Sequence, residues 1–531
     1  MPLNSRFWAI IFLSAAFFFS GCTKKKKSYD FDPKNTLFSR LGAEPPSLDW
    51  HKSSDTTSAE VIMNMMEGLV EYNLSDPELS LKPALAVKWR AENKAQRWIF
   101  TLREGVKWTD GKSFTAQQVV DGWERLLNPA TASEYAYFLF GVKNAKAYNS
   151  GKIKDFSQVG VHVNSQGELV VDLEAPQSYF PYLLAHHSTY PIRKDVVKKF
   201  GDQWTNPRNI QTLGAYRLVK WDHDKAIVLK ANKDFYGGEP PIKNVVLHIV
   251  KDAQAALNLF DTHKIDILDS LPSVELKHLR KRPEYRTVPL LGIYYFGLNV
   301  KKKPTDNVLV RKALSMAIDR KEITDMLGGG QVPMTSWVPK GMFGYMPDKG
   351  LKFNVKKARE LLDKAGYKDR SRFPTLKLLF NTNEDHQRVA ENIQAQLKRN
   401  LGINVELGNA EWKVYLSALK SNNTPHIFRM GWIADFPDPD NFLNLMTSYS
   451  ANNHTNWSNK EFDRLILKAA TVTDKKERLR LYGKAQEILV EKEVPVIPIY
   501  SYVSTQLVSK RVLGYASNAM GIKKYKEMRL Q

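Results

Sequence analysis

Apolar residues in this chain recur in two rhythms, and the alternation between them outlines the fold. Between Asn354 and Gly366, Val355, Ala358, Leu361, Leu362 and Ala365 fall at helical spacing, with an amide cap in front and a glycine stop behind. Leu376–Phe380 then reads as a strand, 385–399 as a helix and Ile403–Leu407 as a second strand. Strand, helix, strand over this length predicts a βαβ unit and a parallel sheet.

Elsewhere Leu37–Leu41, Trp98–Leu102, Val245–Ile249, Leu291–Val300 and Val494–Val503 read as strands. Residues 159–173 read as a hairpin broken at Asn164-Ser165-Gln166-Gly167. Residues 213–236 read as two strands around Asp222-His223-Asp224. Helical spacing covers 57–72 (Val61, Met65, Met66, Leu69), 253–260 and 308–327, and 461–491 divides into two helices. The methionines are assigned to the core. Thr115 and Gln118 form a capping box before a further helix. The class is α/β, with no internal repeat.

The N-terminus has a different pattern. Arg6 precedes an apolar run from Phe7 to Phe19, followed by Ser20-Gly21-Cys22. The run has the length of a signal-peptide core and is too short for a comfortable membrane span. Cys22 is the only cysteine, and directly after small residues it resembles a bacterial lipobox, with Phe19 in place of the usual leucine. Residues 1–21 are thus expected to be a signal peptide, and 22–35 a lipidated tether. Lys24–Lys27 would add about 1 kcal/mol each at an anionic bilayer. The expected location is the cell envelope, with the body exported and held at a membrane. The alternatives are an ordinary signal peptide or an uncleaved anchor.

With 78 Lys+Arg against 56 Asp+Glu, the net charge is +22. Such a balance raises nucleic acid or anionic membrane as partners. Beyond 24–27, however, the lysines are dispersed, and the excess reads as solvated surface rather than a nucleic-acid footprint.

Candidate chemistry concentrates in HIFRMGWIADFPDPDNFLN, residues 426–444. His426–Met430 reads as a strand carrying Arg429. Gly431-Trp432 then turns into an acidic, proline-broken loop containing Asp435. A fixed cation, a large aromatic and a carboxylate within seven residues can hold a zwitterion by both ends. The plainer reading is a surface loop with Asp435 solvated and Trp432 in the core. Gly105–Ser113 has five residues between its glycines where a phosphate loop needs four, so it reads as a turn at Asp110-Gly111. His186-His187 has neither an HExxH context nor a cysteine partner and reads as a polar loop pair. No nucleophile–base pair, metal cluster or cofactor fingerprint stands out, which points to a binder rather than an enzyme.

The ordered set EPPSLDW (44–50), LKPALAVKW (81–89), FTLREGVKWTDGKSFTAQQV (100–119), GAYRLVKW (214–221), RKALSMAIDRKEI (311–323), NAEWKVYL (409–416), GWIADFPDPDNFLN (431–444) and SANNHTNWSNKEFDRLI (450–466) resembles the periplasmic oligopeptide-binding proteins of ABC transporters, the family 5 extracellular solute-binding proteins. The resemblance covers roughly 36–510. It implies a periplasmic-binding-protein-like fold (type II, cluster C), with two main lobes around a hinge and an extra third lobe. Lobe I would comprise 36–69, 196–290 and 495–531, lobe II 70–195, and lobe III 291–494. The implied ligand is an extended oligopeptide, handed by a monomeric receptor to membrane permease subunits.

By position, Asp435 matches the carboxylate that meets the peptide amine. Arg429 and His386 match cationic groups that meet its carboxylate, and Trp412 matches an aromatic lining a side-chain pocket. The retained Arg429 argues against the murein-tripeptide relatives. Where some relatives carry a lysine, after 308–327, this chain has Asp325-Met326-Leu327-Gly328-Gly329-Gly330, which leaves peptide length open. Other solutes (nickel, haem, a glycan or a murein peptide), or an adhesin or chaperone role for a surface lipoprotein, remain as alternatives.

Overall fold

The computed structural model describes residues 31–421 and 424–531. Cys22, the apolar run before it and most of the lysine-rich tail lie outside the described residues. Among those described, no helix is long and apolar enough to cross a membrane.

An eleven-stranded mixed sheet runs through the molecule. One end is the predicted βαβ unit. Leu376–Asn381 pairs in parallel with both Val405–Ala410 and Ile427–Ile433, and helix Glu384–Leu401 makes the crossover. At the other end Thr36–Leu41 pairs in parallel with Asn244–Ile249, which continues antiparallel into Ala226–Ala231 and Tyr216–Asp222. Two long strands join these ends, Tyr285–Leu298 and Val496–Val508, antiparallel to one another. Their ladder breaks register between Pro289 and Ile293. At the break Leu291 N–H donates instead to Ala519 O (2.7 Å), and Leu291 O accepts from Ala434 N–H (2.7 Å).

A separate antiparallel sheet, in the order Ala86–Glu92, Arg97–Leu102, Leu169–Asp172, Val161–Val163, includes the predicted hairpin. The Thr115–Gln118 capping box is formed and starts helix Ala116–Leu127. That helix turns Val119, Trp123, Leu126 and Leu127 into the core, where each side chain is fully buried and contributes about 1.5–3 kcal/mol.

Three predicted elements differ. The helix expected over 57–72 spans Thr56–Met65, and Val70–Tyr72 is a strand paired with Leu81–Pro83. Gly214 packs against the Met65 carbonyl and donates its N–H to it (2.8 Å), which ends the helix by a long-range contact. Residues 308–327 form two helices, Val308–Met316 and Arg320–Leu327, because the Asp319 carboxylate caps a new helix at Lys321 and Glu322. The strand expected to stop at Met430 continues to Ile433, so Gly431-Trp432 is ladder rather than turn.

Candidate functional site

The carboxyl ends of parallel strands are where ligands meet an open α/β sheet, and the candidate residues lie along two of them. Asn381 closes one strand, and His386 follows in the first turn of helix Glu384–Leu401, which is capped by Asn383. Arg429 lies within the next strand, and Asp435 just beyond its end.

Asp435 is partly buried, its side chain 13% exposed. Tyr135 Oη donates to Oδ1 at 3.2 Å, and Asn441 Nδ2 donates to Oδ2 at 3.0 Å. His186 Nε2 lies 3.3 Å from Oδ1. Asn441 Oδ1 in turn accepts from Trp432 Nε1 (2.9 Å) and from the Asp435 N–H (3.1 Å), and Tyr72 Oη donates to the Asp435 carbonyl at 2.9 Å.

The tautomer of His186 follows from its other nitrogen. Nδ1 accepts from the Ser188 N–H, so the ring proton sits on Nε2 and is donated to Asp435. The carboxylate therefore has three side-chain donors, Tyr135, Asn441 and His186, and among the described residues no lysine or arginine pairs with it.

Arg429 has the complementary condition. It is 7% exposed. Nη2 donates to Tyr502 Oη (2.5 Å), Nη1 donates to Asn381 Oδ1 (3.2 Å), and the guanidinium lies 4.5 Å from the Tyr294 ring centroid. Its Nε has no acceptor, and among the described residues no carboxylate pairs with it. Gly431 is required beside it, because a β-carbon there would collide with the Tyr502 hydroxyl.

His386 lies 5.5 Å, ring to ring, from the same Tyr294. Burial first, then the Arg429 charge, hold its pKa well below the ordinary value. The side chain expected to be cationic is therefore neutral at pH 7. Its place beside Arg429 makes it a hydrogen-bond donor, or a group that takes up a proton when an anion arrives.

Trp412 begins helix Trp412–Lys420. Its indole donates to Asp55 Oδ1 at 3.4 Å and stacks on Tyr415, whose hydroxyl donates to the Arg429 carbonyl. Trp432 is only 6% exposed and tilts over Tyr135 at 6.2 Å. It supports the Asp435 shell from within the core.

The structure thus gathers the sequence-derived residues into two side-chain clusters on one strand and the loop after it, Asp435 with Trp432, and Arg429 with His386 and Trp412. Tyr135, His186, Asn441, Tyr294 and Tyr502 were missed. The reading of His186-His187 as a polar loop pair is corrected: the side chains are 7% and 2% exposed, and burial lowers the pKa of His187. Only Asn441 carried a signal, through its place in the PDPDNFLN segment.

The described residues contain no group of three or more His, Cys, Asp or Glu placed to hold a metal ion. Residues 80–454 match the family of bacterial extracellular solute-binding proteins, family 5 Middle. The chain belongs to that family.

Among its relatives, the periplasmic oligopeptide-binding protein OppA of Salmonella typhimurium is 36% identical over 496 residues, 91% of this chain and 90% of that protein. The fold, of the type II periplasmic-binding-protein kind, matches the murein tripeptide binding protein MppA of Escherichia coli. That match has a TM-score of 0.89 and 32% identity, and covers 94% of this chain and 99% of that one. The Haemophilus influenzae OppA complex with RPPGFSPFR gives 0.88 at 31% identity, covering 94% and 99%. The unliganded open form of MppA gives only 0.64, at 32% identity over 94% and 98%. The parts of this family 5 protein are therefore arranged as in the peptide complex rather than as in the open form.

Proposed function

We propose that this protein is the substrate-binding component of an ABC importer for oligopeptides. It would enclose a free peptide in extended form and deliver it to membrane permease subunits. The observation that carries the reading is the pair of unmatched charges on one strand and the loop after it. Among the described residues Asp435 is met by no lysine or arginine, and buried Arg429 by no carboxylate. A buried charge without a counter-charge is costly. One ligand with an ammonium at one end and a carboxylate at the other relieves both. The names of the oligopeptide-binding relatives favour the same ligand.

Asp435 lies six positions beyond Arg429, so at ~3.3 Å per extended residue their α-carbons are at most ~20 Å apart, and the side chains set the distance between the charges themselves. The lobes would be those expected from the sequence: I from 36–69, 196–290 and 495–531, II from 70–195, and III from 291–494. The two long shared strands would serve as the hinge. Cys22 would carry the lipid that keeps the receptor at its membrane, and the protein would act as a monomer without catalysis.

Native mass spectrometry of what co-purifies with the chain, followed by calorimetry with peptides of two to nine residues, tests this. Intact peptides bound through free termini support it. A metal complex, haem or glycan bound in place of any peptide refutes it.

A further inference from the structure

A cavity of about 350 Å³ is lined by residues other than those around Arg429 and His386. Its aromatic walls include Tyr137, Tyr179, Phe436 and Tyr449, with the half-exposed Leu467 at its mouth. The volume is in the range of small-molecule sites. Asp435 does not line it. Asn441 does, and both polar atoms of its amide are bonded to Asp435.

Two polar atoms of the cavity lining have no hydrogen-bond partner, Tyr137 Oη and the carboxylate oxygen Asp440 Oδ1. Asp440 is 4% exposed, and its Oδ1 makes no hydrogen bond. Oδ2 accepts from Asn444 Nδ2 at 3.3 Å. The neighbouring Asp438 is already matched by Arg478 at 2.9 and 3.1 Å, so Arg478 is committed elsewhere. Burial, then the Asp438 charge, push the Asp440 carboxyl up to about 7, against the pull of Arg478, Asn444 and Tyr179.

The remaining charged groups on the cavity are Glu174 and Lys146. Glu174 Oε1 accepts from the Asn144 N–H at 2.7 Å. Lys146 Nζ stands 4.2 Å from the Tyr449 centroid and 6.0 Å from that of Phe140, which shows that these rings present their negative faces to a cation. An orphaned carboxylate oxygen at the bottom of an aromatic box selects a donor that is positively charged and carries an apolar body.

We propose that this cavity is a second ligand site, for a small primary amine bearing an aromatic or aliphatic group. The ammonium donates to Asp440 Oδ1, and the apolar body stacks among Tyr137, Tyr179 and Tyr449.

The test is calorimetry of the full chain with 2-phenylethylamine, alone and with the main site saturated by a peptide. The amine is expected to bind in both cases. 2-Phenylethanol, which has the same shape without the charge, is expected to bind at least tenfold more weakly. Asp440→Asn should lose at least tenfold for the amine. Ala470→Trp, which fills the mouth, should abolish binding while leaving peptide affinity within twofold. No amine binding, equal binding of amine and alcohol, undiminished binding in both variants, or displacement of the amine by peptide would each overturn the proposal. A failure of peptide binding with retained amine binding would instead count against the oligopeptide reading.

Discussion

His186 Nε2 stands 3.3 Å from Asp435 Oδ1, and the Ser188 N–H on the other ring nitrogen fixes the proton between them. The carboxylate therefore has its hydrogen bonds but, among the described residues, no lysine or arginine against it. In the proposed function a ligand ammonium would complete the pair without having to displace either.

Asp435→Ala should weaken binding of free peptides by about 3–5 kcal/mol, roughly two to four decades. Asp435→Asn should lose nearly as much. Acetylating the peptide amine should harm the wild type badly and the Asn variant little. A calorimetric double-mutant cycle measures the coupling, and additive losses would place the amine in another loop.

His186→Leu and Tyr135→Phe each remove one donor from that carboxylate. Each should cost about 1–2 kcal/mol in peptide affinity, while the thermal midpoint measured without added peptide moves much less than for a core cavity. An unchanged affinity in both variants would show that the shell does not position Asp435.

Arg429→Ala and His386→Ala should weaken binding in a length-dependent way, since each meets the carboxylate only when the chain ends beside it. His386 adds a pH signature. Its pKa is lowered in this structure by burial and Arg429, and an arriving carboxylate raises it. Affinity for peptides ending at His386 should therefore increase as pH falls through the raised pKa of the complex, with proton uptake visible as buffer-dependent binding enthalpy. His386→Gln should abolish the uptake.

Stability should fall in acid for a defined reason. His51 is held neutral, its pKa lowered to about 3, chiefly by burial and then by Arg125. Arg125 donates to its Nδ1 at 3.1 Å, and its Nε2 faces the Tyr190 carbonyl at 3.2 Å. The unfolded chain takes up this proton near pH 6.5 and the folded chain does not. Stability is therefore lost as pH falls from 6.5 towards 3, by up to ~1.4 kcal/mol per unit from this residue. Denaturant melts of wild type and His51→Gln should differ in slope over that window, with the variant the flatter.

Cys22→Ser should leave an unlipidated precursor that partitions from membranes, because acyl chains contribute about 0.8 kcal/mol per buried CH₂. Normal membrane fractionation and lipid labelling of the variant would refute the anchor.

What was legible in the sequence was what local chemistry decides. Asn354, Thr115 with Gln118, and Gly366 mark helix ends through their own backbones, and the βαβ unit follows from period alone. Asp319 carried the same kind of capping signal, but the apolar spacing across 308–327 concealed it. Asp435 and Arg429 stood out because one short segment holds both. His186 and Tyr135 could not be read, because their partner is supplied by a loop hundreds of residues away and nothing in their own neighbourhoods records it. The helix stop at Met65 failed for the same reason, since Gly214 imposes it.

The broken ladder at Leu291 gives the molecule a crease. There the long strand leaves its partner and is pinned instead to Ala519 on one side and to Ala434 on the other. Ala434 is the residue before Asp435. In the proposed function, a turn of one half of the sheet about this crease would pull on the loop assigned to the ligand's amine. The leverage would run both ways, so that a membrane partner sensing the angle would learn whether cargo is aboard.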